Sequence, residues 1–100
     1  MRVIARSAIR EFLNSNSSYA DSKEALEAWY QHTLKADWST PAELKEQFKS
    51  ASILQDGRVV FNIVGNKYRL VVWINYAYRV VYIRFIGTHE EYDKIDAQAI

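Results

Sequence analysis

Residues 58 to 92 read R-V-V-F-N-I-V-G-N-K-Y-R-L-V-V-W-I-N-Y-A-Y-R-V-V-Y-I-R-F-I-G-T-H-E-E-Y. Asp56-Gly57 marks the start of this stretch, and Gly65-Asn66 and Asn75 to Tyr78 divide it into runs rich in β-branched and aromatic residues. The runs predict an antiparallel meander over Val59 to Val64, Lys67 to Asn75 and Arg79 to Ile86. Period-two alternation then assigns Phe61 and Ile63, Leu70, Val72 and Ile74, and Val81, Ile83 and Phe85 to one core-facing side. The other side is expected to carry Asn62, Arg69, Trp73, Tyr82 and Arg84 among Val60, Val64, Val71 and Val80. Two arginines and two aromatic residues on a half-apolar face resemble a binding surface.

Upstream of the meander the hydrophobic period changes to that of helices. Met1 to Ala5 suits a short strand, and Ser7 is placed to cap a helix with Ile9, Phe12 and Leu13 on one face. Asn14 to Ser18 interrupts it with small polar residues that favour turns. Asp21 and Glu24 have the spacing of a capping box, opening a helix with Leu26, Trp29, Tyr30, Leu34 and Trp38 on an apolar stripe. Thr40, Pro41 and Glu43 supply an N-cap, a preset φ and a capping-box partner for a third helix carrying Leu44, Phe48 and Ala51 inward. Glu90, Glu91 and Asp93 suit the first turn of a short C-terminal helix. Helices followed by strands predict an α+β fold, with the helices on one face of a small, mainly antiparallel sheet of three meander strands and an N-terminal edge strand.

A chain of 100 residues holds one domain with one modest core, and no repeat or linker divides residues 1–100. Its 49% hydrophobic and 25% charged composition is that of a globular protein. The absence of cysteine excludes disulfides, thiol nucleophiles and the usual zinc fingers, and makes a reducing cytoplasm the expected location. No apolar run approaches the roughly 20 residues of a membrane span, and the N-terminus lacks a signal-peptide core. His32 and His89 fit no His-Glu-x-x-His pattern and no glycine-rich phosphate loop is present, so neither a metal nor a cofactor is expected.

The net charge of +1 hides an uneven distribution. Arg58, Lys67, Arg69, Arg79 and Arg84 stand in a region without Asp or Glu, and an acidic tail follows His89. Such a platform suits a polyanion. Cleaving RNA requires activation of a 2′-hydroxyl, neutralisation of charge on the phosphoryl oxygens and protonation of the departing 5′-oxygen. Guanidinium groups suit the second task, so Arg69 and Arg84 are expected to converge on phosphate from adjacent strands. His89 is able to move a proton near neutral pH, and Tyr92 to stack on a base. Arg58, Asn62, Asn66, Lys67, Tyr82 and Lys94 complete a set of RNA-binding candidates. Each has an ordinary use as well: strand arginines serve as solvated faces, His89 as a cap, and Asn66 as a turn former. A non-catalytic RNA- or protein-binding module using the same face is therefore the alternative.

The segments Val60–Leu70, V-F-N-I-V-G-N-K-Y-R-L, and Tyr82–Asp96, Y-I-R-F-I-G-T-H-E-E-Y-D-K-I-D, together with W-S-T-P-A-E-L-K-E-Q-F at Trp38–Phe48, resemble the HigB family of toxins. The resemblance spans most of the chain. It implies a RelE-like α+β toxin of a type II toxin–antitoxin pair, cleaving messenger RNA at the ribosome without a metal and neutralised by a helix-turn-helix antitoxin, HigA. The RelE group uses an Arg within Y-R-L-V, and Lys67-Tyr68-Arg69-Leu70-Val71 is similar to that segment. The sequence departs from the RelE pattern where Thr88-His89 replaces an Arg after the last strand, and where Asn62 and Val64 stand in the region of a lysine pair. Lys67 or Arg84 would then substitute.

Overall fold

Alternating apolar residues between turn formers produce an open five-stranded sheet, and one bulge in it decides which side chains reach the candidate site. The computed structural model describes all residues from Met1 to Ile100. The chain runs β1 (Arg2–Ile4), α1 (Arg6–Ser15), a 3₁₀ segment (Ser17–Ser22), α2 (Lys23–Lys35), α3 (Pro41–Gln47), β2 (Ser52–Ile53), β3 (Arg58–Ile63), β4 (Tyr68–Asn75), β5 (Val80–Thr88) and α4 (His89–Tyr92). The sheet order is β1-β5-β4-β3-β2, with β1 parallel to β5 and every other pairing antiparallel. The expected α+β architecture, the meander and the N-terminal strand are all present. The two-residue β2 is an addition.

The main core lies between the helices and the inner sheet face. Ile9 and Phe12 of α1, Leu26 and Trp29 of α2 and Leu44 of α3 pack with Val59, Phe61, Ile63, Leu70, Val72, Ile74 and Val81. Each such buried side chain contributes roughly 1.5 to 3 kcal/mol. At α3, Thr40 Oγ1 accepts from the Glu43 N–H at 3.3 Å while the Glu43 carboxylate accepts from the Thr40 N–H at 3.1 Å, with Pro41 inside the first turn. The helix ends at Gln47, so Phe48 is its C-cap and Ala51 is buried beyond it.

Two predicted helix starts are displaced. Ser7 lies inside α1, whose N-cap is Ala5, and Asp21 belongs to the 3₁₀ segment, so α2 begins at Lys23. The Asp21 carboxylate is engaged by distant residues and is therefore not a cap. Leu34 is exposed, while Trp38 is buried although it lies past the end of α2.

The register changes between Val71 and Val72, which pair with Phe85 and Ile83 and leave Arg84 as an unpaired extra residue. Beyond this bulge the faces of β5 exchange. Ile86 takes the core-facing position expected for Phe85, and Phe85 joins a second cluster on the outer face. That cluster contains Val60, Val71 and Ala97 with Leu54, Tyr92, Ile95 and Ile100. The chain's last residues thus cover the middle of the outer face, and Val60 and Val71 are buried rather than available for docking.

Candidate active site

Three cross-strand rows make up the outer sheet face: Asn62, Arg69 and Gly87 at one end, Val60, Val71 and Phe85 in the middle, and Arg58, Trp73 and Tyr82 at the other. Arg58 and Asn62 are four positions apart on one strand, about 13 Å. Because the C-terminal segment packs on the middle row, the two polar ends are separate surfaces.

Arg69 dominates the first end. Its guanidinium donates to the carbonyls of Asn66 at 2.9 Å and Tyr68 at 3.4 Å and lies 5.7 Å from the centre of the Tyr92 ring. No carboxylate pairs with it. Gly87 stands across from it on β5, and a Cβ there would lie 2.5 Å from the tip of the Phe85 ring, so only glycine lets that ring pack as it does.

Helix α4 brings the terminal candidates to the same end. Thr88 Oγ1 accepts from the Glu91 N–H at 3.1 Å, and Glu91 returns the bond by accepting from the Thr88 N–H at 2.9 Å. That backbone N–H leads the contacts that hold the Glu91 carboxyl below its ordinary range. The His89 N–H donates to the Lys67 carbonyl at 3.0 Å, fastening α4 to the β3–β4 hairpin. His89 Nδ1 stands 3.8 Å from Asp93 Oδ2, and the exposed ring leaves Nε2 without a protein partner. Tyr92 is half-buried under Arg69 and joins the outer cluster.

The cations are used differently from one another. Lys67 is paired with Asp21, which also accepts from the buried Tyr68 hydroxyl at 2.5 Å. The Lys67 ammonium lowers the Asp21 pKa, and Asp21 raises that of Lys67. Burial, followed by Asp21, raises that of Tyr68. Arg79 is paired with Asp37 at 2.6 Å. Arg58 donates to the Ile100 carbonyl at 3.0 Å and so anchors the C-terminal segment. The acids absent from the strand region are therefore supplied in part by the helical half of the chain.

Residues 22–95 match a family described as HigB_toxin, RelE-like toxic component of a toxin-antitoxin system. The chain belongs to the HigB toxin family. An mRNA interferase HigB from Escherichia coli O6:H1 is 26% identical over 97 residues, covering 95% of this chain and 91% of that protein. An mRNA interferase toxin HigB from Escherichia coli K12 is 30% identical over 95 residues, covering 93% and 88%, and so is an mRNA interferase HigB from Shigella flexneri.

In this HigB-family chain the structure brings together Arg69, Tyr92, His89, Asn62, Asn66 and Lys67. Asn62 faces Arg69 across the strands and donates to the Ser50 carbonyl at 3.3 Å. Lys94 is exposed just beyond α4, close enough to Glu91 to help lower its pKa. The expected convergence of Arg84 with Arg69 is not found: the bulge displaces Arg84 into a shallow groove with Ala8, Glu11, Phe12 and Ser15 of α1. Arg58 and Tyr82 belong to the far end, where the Tyr82 ring lies 5.2 Å from that of Trp73. Sequence reading placed Asp21 and Glu91 only at helix starts and missed Tyr19, whose hydroxyl donates to Glu91 at 3.3 Å. It also missed a cleft of about 510 Å³ between α1 and α2 lined by Arg10, Lys23 and the Arg6–Glu27 ion pair, because charges scattered over two helices leave no local run.

Proposed function

We propose that this toxin is an endoribonuclease that cleaves messenger RNA at the ribosome by attack of the substrate's own 2′-hydroxyl. The 2′-oxygen bonds to phosphorus, the bond to the 5′-oxygen breaks, and the products carry a 2′,3′-cyclic phosphate and a 5′-hydroxyl. One proton leaves the 2′-oxygen and one reaches the 5′-oxygen. Arg69 is the group that neutralises charge on the phosphoryl oxygens, because of the three cations that lie over an aromatic ring, Arg6, Lys67 and Arg69, it is the one with no carboxylate partner. His89 acts as acid or base through Nε2, with Nδ1 facing Asp93. Tyr92 stacks on or orients the scissile nucleotide, and Asn62, Asn66 and Lys94 position the strand. Lys67, held by Asp21, contributes field more than direct grip.

The juxtaposition of Arg69, Tyr92 and His89 at one sheet end carries this reading. Relatives named mRNA interferase support the substrate. A HigA-like helix-turn-helix protein is the antitoxin expected to neutralise it. Expression of the wild-type protein should arrest growth and shorten translated messages, while Arg69→Ala and His89→Gln, folded as judged by circular dichroism, should do neither. Full toxicity in both variants would remove these residues from the site.

A further inference from the structure

We infer that the 3₁₀ segment Ser17–Ser22 is a clamp that sets α4 against Arg69, with Tyr19 as the positioning residue of the arm that reaches α4. Its effect on cleavage rests on the RNA-cleaving reading above, while the clamp itself rests on geometry. From this one short segment Tyr19 reaches α4 and Asp21 reaches the β3–β4 hairpin. The Tyr19 hydroxyl donates to Glu91 Oε1 at 3.3 Å across 72 positions of sequence, the one hydrogen bond between α4 and the first half of the chain. Asp21 pairs with Lys67 and accepts from the Tyr68 hydroxyl at 2.5 Å. The two arms meet where the Lys67 carbonyl accepts from the His89 N–H at 3.0 Å.

The segment is braced from within. Asn16 Oδ1 accepts from the Ser18 N–H at 2.9 Å, and the hydroxyl of buried Ser22 donates to the Tyr19 carbonyl at 2.7 Å. The Tyr19 ring stacks on Phe12 at 4.5 Å and meets Tyr68 edge-on at 5.8 Å, so its hydroxyl is aimed from a packed aromatic cluster. Helix α4, by contrast, has four residues, too few to persist without tertiary support, and its orientation depends on what grips it. Glu91 Oε1 accepts from both Tyr19 and the Thr88 N–H, so one oxygen joins the clamp to the cap of α4. The next residue is Tyr92, whose ring lies 5.7 Å from the Arg69 guanidinium. A reacting group misplaced by about 1 Å can lose roughly a hundredfold in rate, so the hold on α4 bears on chemistry as well as on folding.

The test is Tyr19→Phe in the full chain, which removes the hydroxyl and keeps the ring on Phe12. Native-state hydrogen exchange should show the His89 and Glu91 amides exchanging about three- to tenfold faster, the range expected for one hydrogen bond, with the Leu70 and Val72 amides of the core unchanged. Cleavage of a translated message should slow by about the same factor. Because Tyr19 acts through Glu91, adding Tyr19→Phe to Glu91→Ala should slow cleavage no further than Glu91→Ala alone. Unchanged exchange at His89, an acceleration shared equally by the core amides, or slowdowns that multiply in the double variant would overturn the clamp. The expected exchange pattern in a protein whose wild type cleaves no translated message would support the clamp and defeat the nuclease reading instead.

Discussion

Arg69 differs from the other strand cations in what it touches, and that difference sets the strongest residue-level expectation. Carbonyl oxygens orient its guanidinium without cancelling its charge, whereas Lys67 and Arg79 face carboxylates and Arg58 is occupied with Ile100. Arg69→Ala should slow cleavage of translated message by about 10² to 10³-fold while changing folding stability by less than about 1 kcal/mol in denaturant titrations. Arg69→Lys should recover little, since an ammonium cannot grip two phosphate oxygens in a fixed fork. Val64 presents a separate point: it is β-branched and holds a φ of +54° at the hairpin. Left-handed backbone there costs roughly 1 to 2 kcal/mol, so Val64→Gly or Val64→Asn should raise the denaturation midpoint.

At the level of elements, α4 is a four-residue helix held by its capping box and by one backbone bond to the hairpin. Thr88→Ala should cost about 1 kcal/mol and lower cleavage more than stability, because it loosens the helix that carries His89 and Tyr92. The elements themselves were legible in advance: Gly-Asn and Asp-Gly turns, alternating valines and the Thr40, Pro41, Glu43 cap are local signals, and each marks a real turn, strand or helix. What sequence reading lost is non-local. No residue near Arg84 announces the bulge, which arises from how β5 pairs with β4 and moves Phe85 outward and Arg84 away from Arg69. The same holds for the covering of Val60 and Val71 by the C-terminal segment, and for Asp21, whose partners lie in the hairpin. Thus Arg69, His89 and Tyr92 could be named from pattern and resemblance, while the separation of Arg58 and Tyr82 from them required the fold.

For the whole molecule, the Asp21, Lys67 and Tyr68 cluster ties the helical half to the end of the sheet that carries the site. Asp21 has a depressed pKa, so its stabilisation is present above about pH 4 and is lost as pH falls through the depressed value. Lys67 has a raised pKa, so its share is present below about pH 10 and is lost as pH rises through the raised value. The stability gap between the wild type and Asp21→Asn, measured by urea unfolding, should therefore be widest between those limits and narrow on the acid side. A gap that stays constant down to pH 2 would remove the charge pair from the account. The proposed 2′-hydroxyl attack is tested by a translating-ribosome assay with one defined message, in which product ends are identified with and without a 2′-deoxy sugar at the scissile nucleotide. The wild type should leave 2′,3′-cyclic phosphate and 5′-hydroxyl ends, Arg69→Ala should leave none, and no cleavage should occur at the deoxy position. Cleavage that persists at the deoxy position, or ends bearing a 5′-phosphate, would contradict that attack.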